Sequence, residues 1–426
     1  DQIAALDELD ADFENLRMAW LSAVEAGQAD LIEDALEPFF WMLTYRNHHA
    51  AGQELFSQAC KKWADPSEHP ELVYRLQIRF PHESMDLEKL YQEAVDSARE
   101  RDAKRELAIA LNCLGRYYGH NLLDIERGTM FLEESLEIFE QLGDEFYIGH
   151  VLDDISFTYG YIDLAARTKY AQKSLAVRER SGDLFGTAGV LGNLVVSQFW
   201  KGEIDQIEAY TNRALEIAKQ TNDVRNIAWQ YIYLAELCQF EGRLEDAMGF
   251  ILEAEKISED IFDTDLSIQV KINKAMCLTL LEEDYQQSKR LLEDAIPMDT
   301  GLNMHKANAT MVYGLVAAGL GDLETLHAAA RFPFEAFKYI DFGTQGLNWF
   351  SPILMLDLFH RGKFSPAAEC FGFTLEQGMI ADRFFEKWLV LDRMMSSIKD
   401  TLGEQNYLAA IERGRSMSIF DFQPYF

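Results

Sequence analysis

Three stretches of the sequence contain residue types that could hold a metal ion. The stretch "HES" at residues 82–84 begins like a His-Glu-x-x-His zinc helix, but Asp86 stands where the second histidine belongs and Pro81 marks a turn. The adjacent histidines at residues 48–49 would face different directions on a helix. The alternating acids of "DIFDTDLS" at residues 260–267 lack the central glycine and the final glutamate of a calcium loop. We interpret all three stretches as turns between helices and predict no metal site.

Sequence motifs for catalysis and nucleotide binding are also missing. The chain contains no G-x-x-x-x-G-K-[ST], G-x-S-x-G, H-E-x-x-H or G-x-G-x-x-G, and the nearest glycine pattern, "GLGDLE" at residues 319–324, lacks the last glycine. Carboxylates at helical spacing, as in "FLEESLEIFEQ" at residues 131–141, are typical of a solvated helix face. We therefore predict a protein that is not an enzyme and needs no cofactor. An enzyme whose site is assembled from scattered residues is the alternative.

Charge and cysteine usage restrict the partners and the compartment. The 426 residues carry 39 basic and 71 acidic side chains, a formal charge of −32, which repels nucleic acid and anionic lipid surfaces. Five cysteines without a C-x-x-C pair indicate reduced thiols in a cytoplasmic protein. The opening "DQIAALDELD" has neither the basic nor the apolar region of a signal peptide, and the missing initiator methionine indicates an excised fragment.

The elements that must position any site are predicted to be helices. Prolines number only nine, hairpin dipeptides are absent, and apolar residues recur at i, i+3, i+4 and i+7. Turn signals that can cap a following helix occur at positions separated by 39, 40 and 40 residues: Asp144, Asp183, Asp223 and Asp263. We expect helix starts to align in the same way at Leu114, Ile155, Leu194 and Leu234. The repeating unit is a helical hairpin of about forty residues.

Small residues recur at fixed places within these hairpins. The first helix has an apolar residue followed by a small one, as in Leu114-Gly115, and the second has paired small residues: Gly128 and Ser135, Ala247 and Ala254, Ser288 and Ala295. The pattern resembles the tetratricopeptide repeat, which implies an all-α, right-handed superhelical α-solenoid of such hairpins. We predict divergent repeats at 1–104, regular repeats at 105–297, and divergent repeats with a cap at 298–426.

In a tetratricopeptide hairpin, certain positions of the first helix face a concave groove. Polar and aromatic residues there suit a peptide, a protein or a small polar inducer, and an ordinary hydrated surface is the alternative. By alignment, the predicted groove residues are Asn112, Arg116, His120, His150, Asp153, Phe157, Tyr161, Trp200, Trp229 and Glu236.

Both ends of the chain resemble a bacterial signalling family. The stretch at residues 10–59, "DADFENLRMAWLSAVEAGQADLIEDALEPFFWMLTYRNHHAAGQELFSQA", is similar to the start of the helical region that follows the nucleotide-binding domain in STAND-type signalling ATPases. "LGEQNYLAAIERGRSMSIFD" at residues 402–421 is similar to the C-terminal end of these AfsR-like and LuxR/MalT-like regulators. The resemblance implies a sensor that binds an inducer or partner and regulates the parent protein's nucleotide-binding domain. A free-standing adaptor or scaffold is the alternative function.

Overall fold

A computed structural model gives the fold of the chain. It describes residues 2–63, 69–82, 84–160, 163–201, 204–261, 263–281, 284–295, 304–336, 350–376 and 389–426. Every regular element within these ranges is helical, which confirms the predicted all-α class. None of the helices in this part of the chain combines the length and the hydropathy that a membrane span requires.

The helices are grouped in two compact units. The first unit comprises Asp1–Gly160, Ala165–Asn193 and Glu216–Asp223. The helices that lie in it wholly or largely are α1 (Gln2–Ala11), α2 (Phe13–Ala26), α3 (Ala29–Tyr45), α4 (His49–Lys62), α5 (Pro70–Arg79), α6 (Leu87–Glu100), α7 (Lys104–Arg116), α8 (Ile125–Leu142), α9 (Glu145–Tyr159) and α10 (Leu164–Ser181). A short π-helical turn, Tyr117–Asn121, follows α7.

The second unit comprises Tyr161–Leu164, Leu194–Leu215 and Val224–Phe426. Two helices contribute residues to both units, namely α11 (Leu184–Lys201) and α12 (Ile207–Thr221). The helices within the second unit are α13 (Val224–Glu241), α14 (Leu244–Ile261), α15 (Thr264–Leu280), α16 (Tyr285–Ala295), α17 (Met304–Leu320), α18 (Leu323–Ala336), α19 (Ser351–His360), α20 (Phe364–Glu376), α21 (Leu389–Leu402) and α22 (Glu404–Arg415). Short 3₁₀ turns occur at Ile204–Gln206 and Ile419–Tyr425.

The predicted turn aspartates lie directly before helices. Asp144 precedes α9, and its Oδ1 accepts a hydrogen bond from the backbone N–H of Tyr147 at 3.2 Å. Asp263 precedes α15 and accepts from the N–H of Leu266 at 2.8 Å. Asp183 caps α11 in the same manner, through the N–H of the third following residue at 3.0 Å. These bonds satisfy N–H groups that a helix start leaves without partners, so the forty-residue spacing marks real helix boundaries.

The expectation that a second set of residues marks helix starts is wrong. Leu114, Ile155, Leu194 and Leu234 lie inside α7, α9, α11 and α13, and each of the four is buried. They are equivalent positions of successive hairpins, but they occupy the part of the first helix that packs most deeply. Burial, rather than a helix boundary, explains why an apolar residue recurs there.

Small residues in the first unit are sites of close backbone approach. A Cβ atom added to Gly128 of α8 would lie 2.7 Å from Gly119 Cα and 3.1 Å from the Gly115 carbonyl oxygen. About two helical turns further along α8, the Ser135 hydroxyl donates to the Ala108 carbonyl at 2.7 Å. α7 and α8 therefore touch through their backbones, which only small side chains allow.

Each unit has apolar cores of its own. In the first unit, fully buried side chains such as Leu36 and Phe56 form one core, and Leu111 and Phe139 belong to another. In the second unit, Ile251 of α14 belongs to a core formed by α13, α14 and α15. A larger core of this unit extends to the C-terminal residues. Each such side chain contributes about 1.5–3 kcal/mol through burial. The predicted boundaries of repeat regularity, after residues 104 and 297, stay a prediction.

Candidate functional site

Polar side chains connect three successive first helices of the hairpins, α7, α9 and α11, in the first unit. The Asn112 amide of α7 donates to Asp154 Oδ2 at 2.7 Å, and the Asn193 amide of α11 donates to Asp153 Oδ1 at 2.8 Å. The two aspartates are neighbours on α9, so their side chains diverge and one reaches each flanking helix. We name Asn112, Arg116, Asp153, Asp154 and Asn193 the polar ladder.

The most accessible charge of the polar ladder is Arg116. Its Nε lies 3.5 Å from Asp154 Oδ1, and its side chain remains 56% exposed to solvent. The neighbouring carboxylate raises the pKa of Arg116 above its ordinary value, so the guanidinium stays charged at every pH of interest. A ligand can approach this cation because its contact with Asp154 leaves more than half of the side chain uncovered.

An aromatic contact lies at the same end of α9. Phe157 is 46% exposed, and its ring lies 4.5 Å from the His120 ring, measured between centroids. The His120 Nε2 lies 3.1 Å from the Asp154 carbonyl oxygen, and burial lowers the pKa of His120. A neutral imidazole thus supports an exposed phenyl ring, and Asp154 contacts both this imidazole, through its carbonyl oxygen, and Arg116, through its carboxylate.

The other end of the polar ladder is anchored by a buried charge cluster. The Arg178 Nη2 lies 3.8 Å from Asp153 Oδ2, and the same guanidinium pairs with Asp183, both side chains being only 2% exposed. Burial raises the pKa of Asp153 and the adjacent Asp154 raises it further, while Arg178 opposes both effects. Asp153 therefore holds α9, α10 and α11 together and has limited capacity to bind an external donor.

His150, another predicted groove residue, lies against the N-terminal helices. Its ring is 4.6 Å from the rings of both Trp41 and Phe146, and its Nε2 is buried without a hydrogen-bond partner among the described residues. Burial lowers the pKa of His150 well below its ordinary value, and Arg178 among nearby cations lowers it further. The imidazole is neutral, and Trp41 of α3 covers it.

α3 also makes a polar contact with α9, which the sequence reasoning missed. The Glu37 carboxylate accepts hydrogen bonds from Arg79 of α5, at 2.6 Å, and from the hydroxyl of Tyr147. Arg79 also lies over the Phe40 ring, 4.6 Å from its centroid. Glu37, Trp41 and Tyr45 occur four residues apart, the spacing of one helix face, and this was the signal available in the sequence.

Two of the predicted groove residues whose side chains the structure describes, Trp229 and Glu236, belong to the second unit. Trp229 of α13 has its ring 6.2 Å from that of Tyr233, and the Arg225 guanidinium lies 6.0 Å from the Trp229 centroid. Glu236 accepts hydrogen bonds from Gln269, at 3.0 Å, and from the neighbouring Asn273 of α15. Burial raises the pKa of Glu236 to about 7, so its carboxyl changes charge near neutral pH.

The structure thus brings together only part of the predicted set. Asn112, Arg116, Asp153, Phe157 and His120 converge on α9, with Asp154 and Asn193 as members that the sequence reasoning did not include. Tyr161 lies outside the described residues, and so does the side chain of Trp200.

The side chains at this site are of types that can bind a ligand. Amide donors, a guanidinium, carboxylate acceptors and an exposed phenyl ring can bind a polar ligand that also has an apolar group. Within the described ranges no group of three or more His, Cys, Asp or Glu side chains is arranged to hold a metal ion.

Comparisons with known proteins show that solved structures have a similar fold. No family model matches the chain, and no curated protein sequence is detectably similar to it. A solved structure of a Rap protein complexed with Competence and Sporulation Factor is similar, with a TM-score of 0.52, 15% identity, and coverage of 93% of this chain and 99% of that one.

A second similar structure is the apo form of the quorum sensor NprR from B. thuringiensis. Its TM-score is 0.51 at 13% identity, and the match covers 92% of this chain and 99% of NprR. At such low identity the likeness concerns the fold alone. The chain has a tetratricopeptide-like, all-α helical-repeat fold of the kind seen in these two proteins.

Proposed function

We propose that the chain is a non-catalytic sensor module that binds a peptide or protein segment and regulates an ATP-dependent signalling switch. The observation that carries the proposal is the polar ladder, together with the exposed side chain of Phe157. A peptide backbone presents N–H donors and C=O acceptors at regular intervals. Amide and carboxylate groups repeated on three successive helices match such a backbone, and their fixed positions lower the ordering cost of binding.

The site also indicates which peptides should bind. Arg116 is placed to pair with an acidic side chain or a C-terminal carboxylate, and Phe157 offers an apolar contact for a neighbouring residue. The two similar folds support a peptide ligand, because one was solved with Competence and Sporulation Factor and the other is called a quorum sensor. A small polar inducer would use the same donors and acceptors.

The test is selection of ligands from a random-sequence peptide library on the purified chain, followed by affinity measurement with fluorescence anisotropy. We expect Arg116→Ala and Phe157→Ala each to raise the Kd of selected peptides by about tenfold or more, which corresponds to about 1.4 kcal/mol. Arg127→Ala is a matched control, because Arg127 is also 56% exposed and also pairs with an aspartate, yet it lies outside the polar ladder.

The outcome that contradicts the proposal is equally definite. If the selected peptides bind Arg116→Ala and Phe157→Ala as tightly as the parent chain, the polar ladder is not the ligand site. Circular dichroism of each variant, with an unchanged helical spectrum, excludes unfolding as the cause of any loss.

The regulatory part of the proposal separates it from a free-standing adaptor. If the chain is a sensor, a selected peptide should change the rate of ATP hydrolysis by a parent protein that includes a nucleotide-binding domain, and Arg116→Ala should abolish that change. A parent protein without a nucleotide-binding domain, in which the chain instead holds two proteins together, would establish the adaptor function. The linkage is thermodynamic, since a ligand can shift a switch only through different affinities for its two states.

A further inference from the structure

A separate apolar groove lies among the first three helices. It has a volume of about 260 Å³, and every side chain that lines it is apolar, including Leu9 of α1, Leu16 and Trp20 of α2, and Leu31 and Pro38 of α3. The groove is open to solvent in part, since Leu31 is 54% exposed.

The groove lies against a core of the first unit, and its open side is formed by a different face of α3. α3 already buries one apolar stripe, which includes Ile32, Leu36 and Leu43, in the core of the first unit. Leu31 and Pro38 form part of a second stripe on α3, at i and i+7, and both residues are exposed. A helix that only supports the fold needs one apolar stripe, so the second stripe is available for a partner.

The surroundings of the groove are strongly acidic. Residues 2–45 contain ten acidic side chains and one basic side chain, and two of the acids, Asp7 and Glu37, pair with Arg46 and Arg79 from outside this range. The one basic residue, Arg17, is already paired with Glu14 at 2.9 Å. Asp30 and Asp34 are exposed on α3, immediately before Leu31 and three residues after it. An anionic lipid surface or a nucleic acid would be repelled here, whereas a cationic partner would be attracted.

We propose that this groove docks a cationic amphipathic helix of a partner protein, whose apolar side chains enter the groove while its Lys and Arg residues face Asp30 and Asp34. The volume fits one or two large apolar side chains and is smaller than the about 300–1,000 Å³ typical of small-molecule pockets. A helix with apolar residues at i, i+3, i+4 and i+7 presents such side chains along one face. This proposal uses helices that do not carry the polar ladder, so it stands independently of the sensor function.

The test uses three fluorescein-labelled peptides and the full chain. The first is an amphipathic helix of leucine and lysine with leucines at i, i+3, i+4 and i+7; the second has the same composition with leucines distributed around the helix; the third replaces lysine with glutamate. We expect the first to bind, the second to bind at least about tenfold more weakly, and the third not to bind. The second peptide has the same charge, so it measures general attraction to this acidic protein.

Variants locate the site. Leu31→Ser and Pro38→Ser should each weaken the first peptide by about fivefold or more, and Asp30→Asn with Asp34→Asn should weaken it and reduce its salt dependence. Leu252→Ser is the matched control, because Leu252 of α14 is 49% exposed and lies outside the groove. Arg116→Ala should leave docking unchanged, which distinguishes this site from the polar ladder.

Several results would overturn the proposal. Equal binding of the first two peptides would mean general electrostatic attraction, and binding of the glutamate peptide would contradict the charge argument. Equal affinity of the first peptide for the parent chain, Leu31→Ser and Pro38→Ser would place its site elsewhere. Circular dichroism confirms that each variant remains helical, and the surface positions of Leu31 and Pro38 make folding defects avoidable.

Discussion

The closest backbone approach in the first unit gives the most exact prediction. A methyl group added to Gly128 of α8 would lie 2.7 Å from Gly119 Cα, 2.8 Å from Gly119 N and 3.1 Å from the Gly115 carbonyl oxygen. All three are backbone atoms, so no side-chain rotation can relieve the contact. Gly128→Ala must therefore push α7 and the π-helical turn after it away from α8.

The magnitude follows from two opposed effects. Replacing glycine by alanine within a helix contributes about 1 kcal/mol of stability through helix propensity. Overpacking against a close neighbour typically costs about 1–3 kcal/mol, and the upper value applies here because the neighbour is backbone. We expect a net loss of about 2 kcal/mol for Gly128→Ala. Gly249→Ala on α14 is the matched control, since Gly249 is exposed and nothing lies within 4 Å of the added methyl, so this variant should gain about 1 kcal/mol.

Because Gly128 and Gly249 belong to different compact units, the assay must resolve local stability. Hydrogen exchange followed by mass spectrometry reports the opening free energy of individual helices. A loss of about 2 kcal/mol accelerates exchange in α7 and α8 by about thirtyfold, and Gly249→Ala should slow exchange in α14. If Gly128→Ala instead slows exchange in α7 and α8, the interpretation of small residues as sites of close packing is wrong.

Three further predictions concern charged and titrating groups. The pKa of Glu236 is about 7 in the folded chain against an ordinary value of 4.5, so the protein loses stability as the pH rises through 7. Glu236→Gln should therefore raise the melting temperature at pH 8.5 and change it little at pH 4. Folding lowers the pKa of His150, so the parent chain loses stability as the pH falls below about 6.5. His150→Phe should reduce that loss in thermal melts between pH 7 and 5. An unchanged dependence of the melting temperature on pH would refute the assignment. Asp183→Ala leaves Arg178 buried without its closest carboxylate partner and should cost about 3 kcal/mol. Asp263→Ala removes a cap whose ion-pair partner, Arg225, is half-exposed, and should cost about 1 kcal/mol; denaturant titrations measure both losses.

The sequence predicts those features of the fold that depend on local chemistry. A carboxylate at the start of a helix accepts a backbone N–H three residues later, so Asp144 and Asp263 can be recognised from their spacing alone. The alignment of Leu114 with its equivalents is also a local signal, but it reports burial and not a boundary. Reading it as a helix start was wrong because an apolar residue before a small one fits the middle of a packed helix equally well.

The contacts of the site are less predictable because they depend on how the helices of neighbouring repeats are rotated against each other. Alignment makes Asn112 and Asp153 equivalent, 41 residues apart, yet the partner of Asn112 is Asp154 at a separation of 42. Asp153 is bonded instead to Asn193, 40 residues further along the chain. Repeat spacing identifies equivalent positions in successive hairpins. The contact partner of each position depends on how adjacent helices are rotated, and this rotation cannot be derived from a single sequence.

The contacts that α3 makes with α9 cannot be predicted from the repeat spacing. Glu37 and Tyr147 are 110 residues apart, and Trp41 covers His150 at a similar separation. Contacts of this range depend on how the chain returns across its own repeats within the first unit. The face formed by Glu37, Trp41 and Tyr45 indicates that α3 has a polar and aromatic side, but not what that side contacts.

The contacts within the polar ladder rank its residues for binding. A ligand that pairs with Arg116 replaces an exposed interaction at 3.5 Å, and pairs of this kind contribute only about 0–1 kcal/mol. A ligand that pairs with Asp153 would have to compete with Asn193 and with the buried Arg178 for the same carboxylate. Arg116 is therefore the ladder charge that a ligand can engage at small cost. In the proposed sensor, Asp153 holds α9 and α11 in the positions that such a ligand requires.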